Sequence, residues 1–185
     1  GMAAALTAAE AGHRVLLAER QSRVGRKLLA TGNGRCNLSN LHASPAHYHG
    51  AAVDFCRPAL ERFPSEETLG WFERLGLLTA AEPSGRVYPA STMAGSVLDV
   101  LRYALERPEI ELRTGCVITQ LRHRGGAFTA RMENGETLTA ERVILAAGGA
   151  AGSKVGGVMD GYQLAKQLGH HRTALLPSLV QMKTD

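Results

Sequence analysis

Residues 1–20 constrain the fold of this chain more than any other stretch. Gly1-Met-Ala-Ala-Ala-Leu-Thr-Ala-Ala-Glu-Ala-Gly12 is a run of small, helix-favouring residues closed by glycine. His13-Arg-Val-Leu-Leu-Ala-Glu-Arg20 then reads as a buried strand that ends in an acid. A helix, a tight turn, a strand and a terminal carboxylate make the back half of a dinucleotide-binding unit. The front half would be an apolar strand and a G-x-G-x-x-G turn ahead of the helix, with glycines that let the backbone approach a pyrophosphate at the helix N-terminus. Gly1 is either the last glycine of such a turn or part of a cloning scar before Met2. The expected molecule is thus a fragment, or a chain whose fold is completed by something outside these 185 residues.

Twelve residues beyond Glu19 comes Thr31-Gly-Asn-Gly-Arg-Cys-Asn37, which joins a flexible backbone, one fixed positive charge, a thiol and two amides. Such a loop is built to wrap a ligand. The formal charge of +4, from 21 basic and 17 acidic side chains, permits an anionic ligand without requiring nucleic acid. Cys36, Cys56 and Cys116 are odd in number and widely spaced, matching neither a disulfide framework nor a metal-binding pair, so a reducing cytoplasm is expected. No run approaches the roughly 20 apolar residues of a membrane span. His42, His47 and His49 invite a metal hypothesis, but no nearby carboxylate or cysteine is spaced to complete a site, and none is expected.

Residues 51–63 and 65–76 read as two helices, the second capped by Ser65, carrying Leu69, Phe72 and Leu75 on one face and ending at Gly76. Residues 77–89 read as a hairpin attached to the main sheet, turned at Pro83-Ser-Gly85. Ser91–Arg107 is a helix with Val97, Leu98, Leu101 and Leu105 as its buried stripe, ended by Pro108. Strands are expected over 111–122, 127–132 and 136–140, with Asn134-Gly135 as a turn. Residues 141–149 read as a buried strand running into glycines, and 159–169 as a helix with Leu164, Ala165 and Leu168 inward. The fold class is α/β, a Rossmann-like three-layer arrangement with a small antiparallel excursion.

Gly25-Arg-Lys-Leu-Leu-Ala-Thr-Gly-Asn-Gly-Arg-Cys-Asn-Leu-Ser-Asn40 resembles the signature of the NAD(P)/FAD-dependent oxidoreductase family of bacterial flavoproteins of the BaiN/RdsA type. Gly85-Arg-Val-Tyr-Pro-Ala-Ser91, Ala146-Ala-Gly-Gly149, Asp160-Gly-Tyr162 and Leu176-Pro-Ser-Leu-Val180 follow in that family's order and spacing. The resemblance implies a glutathione-reductase-like FAD-binding domain over residues 1–175, incomplete for want of its first strand and closing segment, with 176–185 opening a substrate domain. It implies that Gly1 stands at the pyrophosphate and that Glu19, beside Arg20, accepts hydrogen bonds from the adenosine ribose. Arg26 and Lys27 would lie near the phosphates or the flavin edge. Thr31, Gly32, Gly34, Arg35, Cys36 and Asn37 would line the isoalloxazine, with Cys36 a packing or flavin-proximal residue rather than a reactive thiol. Val117, midway along its strand, would give backbone contacts to adenine, and Ala147, Gly148 and Gly149 would form the close-approach turn over the ADP part. Arg86 and Tyr88 would approach the substrate face. One departure is that Gly156-Gly-Val-Met-Asp-Gly-Tyr162 lacks the hydroxyls of the family's Gly-Ser-Thr-Gly-Asp-Gly-Tyr.

The implied activity of the complete protein is hydride transfer between an organic substrate and FAD, with NAD(P)H as partner reductant and no identifiable catalytic acid or base in these residues. Two other readings compete. A non-catalytic remnant would self-associate or bind a complementing polypeptide. An RNA-binding module is suggested by the basic loop and a pI near 9.2, but interleaved aromatics are lacking and no nucleic-acid partner is expected.

Overall fold

The computed structural model describes residues 1–50 and 52–176. The chain divides into two compact units: residues 1–117 with 151–157, and residues 118–150 with the chain from 158 onward.

The first unit begins with α1 (Met2–Glu10), which buries Ala5, Leu6 and Ala9. Gly12, at φ +84°, ends it, and the His13 N–H closes the last turn on the Ala8 carbonyl at 3.1 Å. β1 (Val15–Ala18) pairs in parallel with β5 (Ile110–Arg113), from Val15 opposite Ile110 to Ala18 opposite Arg113. β1 is not the buried strand expected. Val15 and Leu17 turn toward the core, whereas Leu16 is 38% exposed, because β5 is its only strand partner among the described residues.

Between these strands the chain builds a second sheet from β2 (Ser39–Asn40), β3 (Thr79–Ala81) and β4 (Arg86–Pro89), antiparallel in the order β2-β4-β3. The expected hairpin therefore does not extend the parallel sheet. Its outer edge is taken by the end of the glycine-rich loop, whose Leu38 and Leu41 N–H groups donate to the Val87 and Gly85 carbonyls at 2.8 Å each.

α2 (Arg57–Arg62) starts at a proline-containing first turn, and α3 (Ser65–Arg74) follows. Ser65 is not the cap: Pro64 holds that position, and the Ser65 hydroxyl is spent on β2, donating to the Asn40 carbonyl at 2.6 Å and accepting from Ser39 Oγ at 2.9 Å. Trp71 and Phe72 of α3, with Leu75 just after it, pack against the core, and Gly76, at φ +89°, follows. α4 (Ala94–Leu105) buries Val97, Leu98, Leu101 and Leu105, the stripe its spacing predicts. Fully burying such a side chain stabilises by about 1.5–3 kcal/mol, so α1 and α4 carry most of this core.

The stretch 111–122 is two strands rather than one. Gly115, at φ +68°, breaks it, and the Cys116 N–H donates to the Glu19 carbonyl at 2.9 Å, which ends the parallel ladder. In the second unit β6 (Ile118–Arg124), β7 (Ala127–Met132) and β8 (Thr137–Ala140) form an antiparallel meander. Its second turn is fixed by Gly135 at φ +90° and by the Glu136 N–H, which donates to Asn134 Oδ1 at 3.0 Å. α5 (Asp160–Gln167) packs on β6. Gln167 acts there as a one-residue strand: its Oε1 accepts the Leu121 N–H at 2.7 Å and its Nε2 donates to the Thr119 carbonyl at 3.1 Å, beside the register shift between Ile118 and Gln120.

Residues 141–149 are a further correction. They form no ladder among the described residues, and Ile144 is 67% exposed where burial was expected. Apolar side chains specify a strand only when backbone partners exist to complete it. Of the Leu176–Val180 motif, all but Leu176 lies outside the described residues. Among the described residues no helix is long and apolar enough to cross a membrane.

Candidate functional site

The first unit brings the C-terminal end of β1 to the N-terminus of α1. Gly1 is the N-cap of α1, and its carbonyl accepts the Ala5 N–H at 2.9 Å. A Cβ at Gly1 would stand 3.7 Å from Leu17 Cδ1, so the start of α1 lies against the end of β1 that leads to Glu19. Glu19 Oε1 accepts the Gln21 N–H at 2.7 Å, which fixes the carboxylate while leaving acceptor sites over. The Gln21 carbonyl accepts the Gly115 N–H at 3.0 Å, so the turn after β1 is tied to the end of β5. Arg20, beside Glu19, is exposed.

Gln21 also organises the cationic side of the site. Its Oε1 accepts from the Arg26 guanidinium at 3.2 Å, and Arg26 Nη2 lies 3.5 Å from the Lys154 carbonyl. A Cβ at Gly156 would stand 3.1 Å from the Gln21 amide nitrogen, and one at Gly152 4.0 Å from Lys27 Cε. Arg26 and Lys27 thus both lie against the turn Gly152–Gly156, Arg26 through the Lys154 carbonyl. Sequence reasoning missed Gln21 and Lys154. The available signal was Lys154 standing between two glycines, Gly152 and Gly156, both of which the fold holds at positive φ.

The signature loop is more compact than an open flap. Residues Leu28–Gly34 wind as short 3-10 turns interrupted at Thr31, Gly32 and Asn33. Thr31 Oγ1 donates to the Leu28 carbonyl at 2.6 Å, and the Cys36 N–H donates to the Thr31 carbonyl at 3.0 Å. A Cβ at Gly32 would meet the Asn37 backbone nitrogen at 2.8 Å, so only glycine fits there. Asn33 and Cys36 take positive φ, of 55° and 57°. Such conformations cost energy for side-chain-bearing residues and cluster where a ligand is held. Thr31, Gly32, Gly34 and Asn37 are exposed, whereas Cys36 is buried in the core cluster.

Arg35 joins two of the sequence motifs. Its guanidinium donates to Glu82 Oε1 at 2.9 Å and lies 4.0 Å over the ring of Tyr88. Tyr88 is buried, so it supports the loop from beneath, while Arg86 is exposed. Glu82 carried no signal in the sequence. Val117 is not midway along a strand: it falls in the connection between Arg113 and Ile118, because Gly115 and Cys116 turn the chain toward Glu19.

Ala147, Gly148 and Gly149 belong to the second unit. Gly148 takes φ +72°, and the turn packs on the first turn of α5. A Cβ at Gly161 would meet Ala147 Cβ at 3.2 Å, and one at Gly149 would meet the Tyr162 hydroxyl at 3.1 Å. The two glycine-containing motifs of this unit therefore fit against each other.

The HI0933-like protein Rossmann-domain model matches residues 1–175. The chain is 40% identical over 185 residues to the 3-dehydro-bile acid delta(4,6)-reductase of Clostridium scindens, covering 99% of this chain and 45% of that protein. It is 30% identical over 169 residues to the ribosomal RNA dihydrouridine synthase of Escherichia coli, covering 91% of this chain and 42% of that protein. It therefore spans less than half the length of these curated relatives. A solved structure of NikD, an unusual amino acid oxidase essential for nikkomycin biosynthesis, aligns over 92% of this chain and 51% of that one, with 15% identity and a TM-score of 0.44. By its match over residues 1–175, the chain belongs to the HI0933-like Rossmann-domain family, the FAD-binding family that its signature loop resembles.

Proposed function

We propose that this chain is the FAD-binding portion of a flavin-dependent oxidoreductase that moves a hydride between an organic substrate and FAD, with NAD(P)H as the partner reductant. The observation that carries the reading is the fixed carboxylate of Glu19 set beside the N-terminus of α1. A dinucleotide needs that pair: an acceptor for ribose hydroxyls and a positive helix end for phosphate. The donor set fits the group, since Glu19 keeps free acceptor capacity and Arg26 is oriented by Gln21 to present charge.

When bound, FAD supplies the hydride chemistry. The residues of this chain bind and orient. Glu19 selects a free ribose 2′-hydroxyl over a phosphate by charge repulsion. Arg26 and Lys27 balance phosphate charge. The loop Thr31–Asn37, braced by Arg35 on Tyr88 and Glu82, holds its exposed backbone ready for a flat ring. Cys36, being buried, packs and does not exchange. The reductase name of the Clostridium scindens relative supports the direction of the reaction.

The test is to saturate the purified chain with FAD, remove free cofactor by gel filtration and record the visible spectrum. Retained bands near 370 and 450 nm, about where bound flavins absorb, are expected. A colourless protein overturns the reading.

A further inference from the structure

Within the first unit, Val24 and Gly25 lead from β1 into the signature loop, and both sit on α4. A Cβ added at Gly25 would run into the Leu98 side chain. Four residues further along the same helix, Arg102 Nη2 donates to the Val24 carbonyl at 3.2 Å. Residues four apart share a helix face. Leu98 and Arg102 therefore make one seat for the turn, apolar in its first half and polar in its second.

Val24 is buried in the core, and among the described residues no backbone N–H donates to its carbonyl. A carbonyl shielded from water and left without a donor is costly, so the arginine is what lets the chain turn here. The plain alternative for an arginine on a helix is an ion pair with an acid three or four residues away. Asp99 and Glu106 stand at those spacings. Among the described residues Arg102 pairs with neither, and its half-buried guanidinium is committed to the loop instead. Directly after this seat come Arg26 and Lys27, with Arg26 held from its other side by Gln21 Oε1 at 3.2 Å.

We propose that Arg102 is a positioning residue for the cofactor: by holding the Val24 carbonyl it fixes the turn from which Arg26 and Lys27 present charge to the phosphates of FAD. The phosphate contact rests on the FAD reading, whereas the seating of the turn does not.

The test compares the full 185-residue chain with Arg102→Met, which keeps the apolar stem but has no donor, and Arg102→Lys, which keeps a donor. In flavin-fluorescence titration Arg102→Met should weaken FAD binding about five- to tenfold, the scale of one lost hydrogen bond. Arg102→Lys should recover part of that loss. In a chain that already carries Arg26→Met and Lys27→Met the same change should cost less than about twofold, because residues that act through one another are not additive. In limited trypsin digestion without FAD, cleavage after Arg26 and Lys27 should quicken about five- to tenfold in Arg102→Met while cleavage elsewhere changes less than about twofold, the mark of local opening. The proposal is overturned if Arg102→Met binds FAD as the wild type does, or if its loss is undiminished in the Arg26→Met, Lys27→Met background. Trypsin cleavage at Arg26 and Lys27 that is unchanged, or that rises equally at every site, overturns it as well. Should Arg102→Met fail to fold, Arg102→Gln, whose shorter side chain ends before the position of Nη2, takes its place. A wild type that binds no FAD, with selective cleavage in Arg102→Met, would sink the FAD reading and leave the seating of the turn standing.

Discussion

Gly25→Ala separates backbone strain from steric collision at the start of the signature loop. Gly25 has φ +78°, and an added Cβ would run into the Leu98 side chain, which is 2% exposed on α4 and has no room to swing away. Gly12 is the control: its φ is +84°, and nothing lies within 4 Å of an added Cβ. Placing alanine in the left-handed region costs about 1–2 kcal/mol, so Gly12→Ala should lose that much. Gly25→Ala should lose the same plus about 1–3 kcal/mol for overpacking a filled core, about 2–5 kcal/mol in all. Urea unfolding followed by far-UV circular dichroism measures both, with the midpoint shift read at unchanged slope. Leu98→Ala should relieve part of the Gly25→Ala penalty in the double variant, since the clash is with that side chain. Equal losses in Gly12→Ala and Gly25→Ala, or purely additive losses in the double variant, would refute the packing of this loop on α4.

Arg35→Gln should cost about 0.5–1.5 kcal/mol, because its ion pair with Glu82 is about two-fifths exposed on each side and the cation–π contact adds little more. Adding Glu82→Gln in a double-mutant cycle should show positive coupling in urea unfolding, which falls at high salt. Gln167→Ala should destabilise by about 1–3 kcal/mol, since the backbone groups of Thr119 and Leu121 lose their partner. Hydrogen exchange followed by NMR should show the Leu121 amide losing protection ahead of the rest of β6. Gly161→Val should displace the Ala147–Gly149 turn, because its added bulk starts 3.2 Å from Ala147 Cβ, and amide chemical shifts of that turn should move most.

The parts of this structure that were readable in the sequence are those decided locally. The α4 stripe of Val97, Leu98, Leu101 and Leu105 follows from helical spacing, and Asn134-Gly135 follows from the backbone a tight turn demands. The parts that were not readable depend on partners distant in sequence. Residues 111–122 carry one continuous strand-like pattern, yet Cys116 is drawn to the Glu19 carbonyl and divides it between two sheets. Residues 143–145 have the composition of a core strand but lie exposed, since composition does not supply a ladder. Ser65 had the features of a cap, and a competing acceptor on β2 took its hydroxyl. In the candidate site, Glu19 and the loop 31–37 were visible as residue types, whereas Gln21, Glu82 and Lys154 act through neighbours that only the fold brings near.

The most direct test of the central claim compares FAD with FMN, which lacks the adenosine half, by flavin-fluorescence titration of the wild type and Glu19→Ala. With Glu19 and the α1 N-terminus reading the adenosine side, FAD should bind at least about tenfold more tightly than FMN, the scale of a hydrogen bond to a charged group, and Glu19→Ala should erase most of that difference. Equal binding of FAD and FMN by the wild type, or an FAD affinity untouched by Glu19→Ala, would contradict the account.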